Sequence, residues 1–250
     1  MSGHSKWASI KHKKAITDSK KGKEFTKAAA NITIAAKQGG GDAKMNFSLR
    51  LAIDKAKSVN MPSSNIERAI KKGTGELGGA APEELLYEGY AIAGVAILVE
   101  TLTDNRNRTG PEIKAIFSKN GGSLAETGSV AYLFDKKGEI IIVNKNQKIG
   151  KEDLEMIIID SGADDFEENE EVAVVYTKSN ELQKVKAALE ASEIKIEDAE
   201  LVYKPKTGVK IDDLEVARKI LHLTDALEEN EDVTSVYSNY DIEDSILEKL

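Results

Sequence analysis

Residues 139–204 decide the fold, and they read EIIIVNKNQKIGKEDLEMIIIDSGADDFEENEEVAVVYTKSNELQKVKAALEASEIKIEDAELVYK. Apolar residues run together or alternate in the short segments and recur at helical spacing in the longer ones. The predicted order is strand 139–143, helix 151–161, strand 164–168, strand 172–177, helix 179–191 and strand 198–204. This β-α-β-β-α-β order is that of ferredoxin-like domains. We therefore predict a ferredoxin-like α+β domain over residues 136–204.

The segments before and after this stretch are predicted to form one domain together. The predicted elements are a strand at 95–101, a helix at 111–120 and a strand at 130–134 before it, and a helix at 214–228 and a strand at 233–239 after it. The last two elements continue a pattern that the first three leave unfinished. This predicts a second ferredoxin-like α+β domain, made of residues 83–135 and 205–250, which the first domain interrupts.

The residues before position 76 have the pattern of a small helical bundle. One apolar stripe runs from Phe25 to Ala36 at helical spacing, and a second helix is predicted around Leu49 to Ala56. A third, short helix is predicted to start with a capping box formed by Ser64 and Glu67. The predicted fold class is therefore α+β with three domains. They are an N-terminal helical bundle (1–75) and the two ferredoxin-like α+β domains, one inserted in the other.

The charge is divided unevenly along the chain, although its formal net value is only −8. Residues 1–75 contain fourteen Lys and two Arg against five Asp and Glu, a net charge of +11, and the remaining residues carry −19. An asymmetry of this size points to a polyanion-binding region joined to an acidic body. The alternative is a basic surface that is merely solvated.

The composition excludes several kinds of site and of location. The chain has no cysteine, which excludes disulfides, thiolate nucleophiles and Cys-ligated zinc. No apolar run approaches the roughly 18 residues of a membrane span, and the polar, basic N-terminus lacks the apolar segment of a signal peptide. We therefore expect a cytoplasmic protein without a membrane partner.

Three patterns resemble ligand sites but lack the context that such sites need. The letters of a dinucleotide fingerprint occur at 73–78, but they follow a predicted helix instead of a strand, so the segment is interpreted as a linker. His4, His12 and His222 have no ligand spacing, and the acidic run at 164–171 lacks the glycine turn of a calcium loop. The sequence therefore predicts a protein that is not an enzyme, with no catalytic residue, cofactor, metal site or small-molecule substrate.

Positively charged side chains are the main candidates for nucleic-acid binding. Lysines neutralise phosphates and release counterions, and an indole ring can stack on a base. For Trp7 the alternative is a hydrophobic anchor that pins the basic segment to the bundle. The candidate residues in this region are Lys6, Trp7, Lys11, His12, Lys13, Lys14, Lys20, Lys21, Lys23, Lys27, Arg50, Lys57, Arg68, Lys71 and Lys72.

A second candidate is the segment TDNRNRT at 103–109, which is predicted to be a loop between a strand and a helix. Its two arginines, Arg106 and Arg108, can fork onto phosphate or RNA backbone oxygens. The alternative is local. An acidic or amide side chain then forms the turn, Thr109 caps the following helix, and the arginines are solvated or paired with acidic groups of the body.

Motifs spread over nearly the whole chain resemble those of the YebC family. They are Gly3-His4-Ser5-Lys6-Trp7, Ile10-Lys11-His12-Lys13, Gly22-Lys23-x-Phe25, Asn60-Met61-Pro62, Ile66-Glu67-Arg68-Ala69-Ile70-Lys71-Lys72-Gly73, Thr103-Asp104-Asn105-Arg106-x-Arg108-Thr109 and Asp232-Val233-x-x-Val236-Tyr237-Ser238-Asn239. The resemblance implies a helical N-terminal domain, two α+β domains of which one is inserted in the other, nucleic-acid binding, a cytoplasmic location and no cofactor. Bacterial members of that family are described as probable transcriptional regulatory proteins, and a mitochondrial relative as a translational activator of cytochrome c oxidase subunit I.

Three functions agree with these features. The leading hypothesis is a DNA-binding transcriptional regulator; because no helix-turn-helix or zinc-finger signature is present, its contacts should be mainly to phosphates. The first alternative is a translation factor that binds ribosomal RNA or the ribosome, since loop arginines suit shaped RNA at least as well as duplex DNA. The second is a protein-interaction scaffold whose acidic body binds basic partners. The sequence leaves the oligomeric state open.

Overall fold

The computed structural model describes residues 21–78, 82–247 and 249–250, and its helices and separate sheets confirm the α+β class. By their contacts the described residues divide into two units. The inserted unit spans Phe134–Lys206, and the second unit contains the described residues before and after it. Every helix in this part of the chain is too short or too polar to span a membrane.

Three helices open the second unit: α1 (Lys21–Gly39), α2 (Phe47–Ser58) and α3 (Ser63–Gly73). α1 packs against the other two, and their apolar faces share one core. Its buried members are Ala28, Ile32, Ala35, Ala36, Leu49, Ala56, Met61, Ile66 and Ala69. The predicted capping box does not form, because α3 begins directly after Pro62, one residue before Ser64, and no side chain caps it.

The first half of the split α+β region consists of β1 (Glu83–Tyr90), β2 (Ala96–Thr103), α4 (Arg106–Lys119) and β3 (Ser123–Leu124). β1 and β2 form an antiparallel hairpin in which Glu83 pairs with Thr103 and Tyr90 with Ala96. The sequence pattern does not predict β1, because its three glutamates and its glycine dilute the apolar character that marks a strand.

The inserted unit consists of β4 (Phe134–Val143), α5 (Lys151–Asp160), β5 (Asp165–Glu168), β6 (Val172–Lys178), α6 (Leu182–Ala191) and β7 (Asp198–Pro205). Its sheet has the order β5-β6-β4-β7, and every neighbouring pair is antiparallel. Together with the order of elements along the chain, this is the ferredoxin-like arrangement that the sequence predicts. Phe134 pairs with Pro205, so the unit begins and ends at neighbouring strand ends.

The chain returns to the second unit through β8 (Val209–Ile211), α7 (Leu214–Glu228), β9 (Val233–Ser238), β10 (Tyr240–Ile242) and α8 (Asp244–Leu247). β9 pairs antiparallel with β2 and completes a sheet with the order β3-β1-β2-β9, while β8 and β10 form a short parallel pair. α4 and α7 pack against each other and against this sheet. The split sheet is therefore built from segments on both sides of the inserted unit.

The strand predicted at 130–134 is wrong. Residues Ala131–Leu133 form a 3₁₀ turn, and β4 begins only at Phe134. The N–H groups of Val130 and Ala131 donate to the buried Glu88 carboxylate at 2.6 and 2.8 Å, so no sheet ladder can use them. The strand that pairs with the outer side of β1 is instead the short β3.

Candidate nucleic-acid interface

Asn46 fixes the end of α1 to the start of α2. Its side chain donates to the carbonyl oxygens of Ala35 (2.7 Å) and Gly40 (2.8 Å) and accepts from the N–H of Leu49 (3.0 Å). It thereby satisfies terminal backbone groups of both helices. A Cβ at Gly39 would lie 2.6 Å from the Asn46 amide nitrogen, so the closeness of this contact requires glycine there.

α3 is held closely against α1. Ile66 and Ala69 are buried, and the Thr33 hydroxyl lies 3.2 Å from the carbonyl oxygen of Ala69. At Gly73 a Cβ would stand 2.4 Å from the carbonyl oxygen of Thr33, so only glycine lets the two helices come this close. The packing on the inner side of α3 therefore determines which side chains its outer side presents.

The outer side of α3 carries three exposed cations. Arg68, Lys71 and Lys72 are spaced i, i+3 and i+4, which makes them neighbours on the helix surface. The exposed Ser64 lies one turn before Arg68 in the same row. Three of the predicted residues are thus brought together on one surface, which we call the α3 basic face (Arg68, Lys71 and Lys72).

Arg50 belongs to the structure of the loop between α1 and α2. Its Nη1 donates to the carbonyl oxygens of Ala43 (2.7 Å) and Lys44 (3.3 Å). Its guanidinium also lies 5.5 Å from the centre of the Phe47 ring, a cation–π distance. These contacts give Arg50 a bracing role within the helical region.

The other predicted cations of this region have different surroundings. Lys57 is exposed near the end of α2, whereas Lys27 is half-buried on α1. Lys21 and Lys23 belong to the first turn of α1. The predicted residues that lie outside the described part of the chain are Lys6, Trp7, Lys11, His12, Lys13, Lys14 and Lys20.

The segment at 103–109 is not a loop. β2 extends to Thr103, Asn105 is the N-cap residue of α4, and the helix begins at Arg106. The Asn105 side chain accepts from the N–H of Arg108 at 3.3 Å. The predicted helix start at 111 is wrong. Proline is typical of the first turn of a helix, which favours a start at Pro111, but the helix already begins at Arg106 and Pro111 lies inside it.

Arg108 is held by Asp232, which precedes β9. Arg108 Nη2 donates to both carboxylate oxygens at 3.0 Å, and the buried Thr109 hydroxyl lies 2.6 Å from the same carboxylate. A longer contact of 3.4 Å joins Arg108 to Asp104. Hydrogen bonding to Asp232, together with its negative charge, raises the pKa of the Arg108 guanidinium above its ordinary value. This geometry agrees with the local alternative in that the arginine pairs with an acidic group, but the helix cap is Asn105 and not Thr109, which lies inside the helix.

Arg106 has a different environment on the first turn of α4. It is exposed, and among the residues that the structure describes it has no acidic partner within ion-pair distance. Burial raises the pKa of the neighbouring Tyr87 phenol, and the positive charge of Arg106 opposes that effect only in part. Because Asp104 and Asp232 lie at the same end of the helix, the two arginines do not create a positive patch there.

Sequence reasoning misses Glu88, which lies on β1 with 2% of its surface exposed. Its carboxylate accepts from the N–H groups of Gly128 (2.6 Å), Val130 (2.6 Å) and Ala131 (2.8 Å). Burial raises the pKa of this carboxyl, but the three donors outweigh burial and lower it below its ordinary value. Glu88 therefore shapes the loop that leads to β4. A single glutamate in a strand gives no sequence pattern that would reveal this.

Three carboxylates of the acidic run at 164–171 are paired with lysines of the same sheet. Lys137 contacts Asp164 at 2.5 Å, and Lys204 contacts Asp165 (3.1 Å) and Glu167 (3.3 Å). The bond from Lys137 lowers the pKa of the Asp164 carboxyl. Within the part of the chain that the structure describes, no three His, Asp or Glu side chains are grouped so as to hold a metal ion.

Family models match almost the whole chain. The one described as the TACO1/YebC protein N-terminal domain matches residues 5–76. The one described as the TACO1/YebC second and third domain matches residues 82–240. The first match covers α1 to α3, and the second covers the inserted unit together with most of the split α+β region.

Individual relatives extend over the same length. A probable transcriptional regulatory protein of Pelotomaculum thermopropionicum is 50% identical over 98% of this chain and 100% of the relative. A protein of Thermoanaerobacter pseudethanolicus with the same description is 53% identical over 98% of both chains. The crystal structure of a conserved hypothetical protein from Aquifex aeolicus matches with a TM-score of 0.85 and 46% identity, over 92% of this chain and 94% of that one.

Proposed function

We propose that this chain, which belongs to the TACO1/YebC family, regulates gene expression by binding nucleic acid through its N-terminal region. The family resemblance read from the sequence motifs is confirmed, and the relatives are named probable transcriptional regulatory proteins. The proposed target is duplex DNA, and the proposed location is the cytoplasm. The observation that carries the proposal is the α3 basic face.

The α3 basic face has the properties of a phosphate-binding surface. Its three cations are exposed neighbours on α3. The position of α3 against α1 is set by the hydrogen bond of the Thr33 hydroxyl to Ala69 and by the close approach of Gly73 to the Thr33 carbonyl group. A surface fixed in advance loses little conformational freedom on binding. Each cation that neutralises a phosphate releases condensed counterions, which drives association. The net charge of +11 over residues 1–75 adds to the attraction.

Binding through this surface should be weakly dependent on base sequence. Contacts to phosphates set register and orientation but carry no sequence information directly. The face has one arginine, the side chain that most often reads guanine in a bidentate way, and two lysines that suit phosphate as point charges. We therefore propose a regulator that recognises nucleic acid mainly through its backbone.

The test removes the α3 basic face from the full chain. Arg68→Ala with Lys71→Ala and Lys72→Ala should weaken binding to a mixed-sequence DNA duplex about tenfold or more, because three phosphate contacts are lost. The plot of log affinity against log salt should become shallower by about 0.9 for each lost contact. Fluorescence anisotropy over a salt series measures both quantities. Thermal unfolding should change little, since exposed positions contribute about 0.5 kcal/mol or less.

The matched control removes the same charge elsewhere. Lys148, Lys184 and Lys195 are exposed on the inserted unit, and their triple alanine variant should bind DNA nearly as well as the unchanged chain. Equal losses in the two variants would show that total charge governs binding and would contradict the proposal. The same titrations with structured RNA test the target. A tighter affinity for RNA that depends on the α3 basic face would point to translation in place of transcription.

A further inference from the structure

A second surface lies on the outer side of α5, within the inserted unit. Met156 and Ile159 each have 62% of their surface exposed. The inner side of the helix is already used, since Leu154 and Ile158 are buried. α5 therefore exposes two adjacent large apolar side chains that its own unit does not cover.

Acidic side chains border this apolar pair. Glu152, Met156 and Asp160 follow at i, i+4 and i+8 and so lie in one row along the helix. Glu155 lies one turn before Ile159 in the neighbouring row. Acidic groups therefore stand at both ends of the apolar pair and beside it.

Asp153 completes the border, and the lysine of α5 offsets it only at Glu155. Asp153 is exposed three residues before Met156. Lys151 Nζ lies 3.6 Å from the Glu168 carboxylate, whose side chain is 5% exposed, and 3.9 Å from Glu155. Its charge is thus shared between a buried carboxylate and Glu155, and Glu152, Asp153 and Asp160 keep the border acidic. We call Met156, Ile159, Glu152, Asp153, Glu155 and Asp160 the α5 surface.

The charge of the α5 surface decides which ligands it can take. Phosphates of nucleic acid and of anionic lipids are repelled by clustered carboxylates. A second copy of the chain would bring the same carboxylates face to face in a two-fold contact. A cationic partner with apolar side chains is complementary on both counts.

We propose that the α5 surface binds a cationic amphipathic segment of another protein. Apolar side chains of that segment cover Met156 and Ile159, and its lysines or arginines meet the acidic border. The apolar contact excludes water, whereas the charges speed association and set the orientation of the segment. This function goes beyond nucleic-acid binding and does not depend on the α3 basic face.

The test uses the full chain and a labelled synthetic helical peptide of leucine and lysine, with all leucines on one face. Met156→Ser with Ile159→Ser should weaken peptide binding about tenfold or more in fluorescence anisotropy, because the apolar centre of the contact is removed. The melting temperature should stay nearly unchanged, since both side chains are exposed. Glu152→Gln with Asp160→Gln should slow association and reduce its dependence on salt.

Two controls make the result specific. Met45→Ser removes a methionine that is 85% exposed in the second unit and should leave peptide binding unchanged. A peptide of the same composition with scrambled order, and hence no apolar face, should bind at least tenfold more weakly, about 1.4 kcal/mol. The proposal is overturned if the scrambled peptide binds equally well or if the double-serine variant keeps full affinity. A self-association of the unchanged chain that the double-serine variant abolishes would also overturn it, in favour of a second copy.

Discussion

Glu88 holds three backbone N–H groups of the loop before β4, although it has little contact with solvent. Glutamine at this position keeps the size but turns an NH₂ group toward backbone donors. We expect Glu88→Gln to lower the free energy of unfolding at pH 7 by about 1–3 kcal/mol, measured by urea unfolding. The control is Glu83→Gln, an exposed glutamate of the same strand, with an expected effect below about 0.5 kcal/mol.

The effect of this substitution should also depend on pH in a defined direction. The pKa of Glu88 is lowered in the folded protein. Its contribution to stability is therefore present above the unfolded-state pKa of about 4.3 and is lost as pH falls through the lower folded-state value. The stability difference between the glutamate and glutamine forms should shrink in acid. A difference that stays constant from neutral pH into strong acid would show that the carboxylate charge is not its cause.

At the residue scale, the sequence predicts which side a residue faces better than it predicts its partner. Helical spacing places Arg68, Lys71 and Lys72 on one outer face because a helix has a fixed period. The partners of Glu88 lie about forty residues further along the chain, and Arg108 and Thr109, the side-chain partners of Asp232, lie 124 and 123 residues back. Only the folded chain brings such groups together. Asp232 belongs to a motif that marks the family, but a motif does not name its hydrogen-bond partner.

At the scale of elements, the contact between α1 and α3 depends on Gly73, which has no side chain. Gly73→Ala should separate the two helices, because its Cβ would meet the carbonyl oxygen of Thr33 at 2.4 Å. We expect a loss of about 1–3 kcal/mol in the free energy of unfolding, the usual cost of overpacking. Chemical denaturation measures it, and weaker nucleic-acid binding should accompany it if α3 carries the interface.

Gly110→Ala serves as the opposite case. Gly110 lies inside α4, and a Cβ there would meet the Tyr87 hydroxyl at an ordinary 3.5 Å. Alanine is the better helix former by roughly 0.5–1 kcal/mol, but a Cβ directly before Pro111 disfavours helical backbone, so the two effects oppose each other and this variant should lose much less stability than Gly73→Ala. Equal destabilisation by both substitutions would mean that the close approach at Gly73 is not responsible.

Element types are predicted from the sequence more reliably than element ends. The helix at 214–228 agrees with α7 to the residue, because its apolar spacing is regular and Asp213 caps it. The start of α4 is missed because two signals compete, the cap at Asn105 and the proline at position 111, and the cap prevails. β1 is missed because Glu88 is buried by hydrogen bonding instead of by apolar character.

Over the whole molecule, Asp232 ties the part of the split sheet made after the inserted unit to the part made before it. Asp232→Ala should lower the free energy of unfolding by about 1.5–3 kcal/mol, because Arg108 and Thr109 lose a charged partner. Hydrogen exchange should quicken in β9 more than in the strands of the inserted unit. Thermal denaturation with exchange mass spectrometry measures both effects.

Asp104→Ala is the matched control for this prediction. Asp104 also contacts Arg108, but at 3.4 Å and with its side chain 62% exposed, so its loss should cost about 0.5 kcal/mol or less. Nucleic-acid binding by the folded Asp232 variant should persist. If Asp232→Ala leaves stability unchanged and tightens binding, the freed Arg108 acts as a nucleic-acid contact and not as a brace.

The overall plan is predictable from the sequence because the inserted unit is a complete pattern by itself. Its six elements occur in ferredoxin-like order without help from the rest of the chain. The split sheet is harder to predict, since the pairing of β2 with β9 joins strands that are distant in sequence. Patterns of apolar residues describe each strand separately and do not state which strands are neighbours.

The pairing of β2 with β9 also determines when the split sheet can form while the chain is being synthesised. Glu100 and Tyr237, whose side chains meet at 3.1 Å, are 137 residues apart. At roughly 5–20 residues per second, the edge of β2 stays open on the ribosome for about 7–27 s before β9 emerges. An open strand edge can pair with other nascent chains. The inserted unit starts and ends at paired strand ends, so its early folding shortens the flexible chain that must close between β2 and β9. Each halving of that flexible length lowers the entropic cost of closing the loop by about 0.6 kcal/mol. A substitution that slows only the folding of the inserted unit would therefore lower the yield of correctly folded split sheet, although no residue of that sheet is changed.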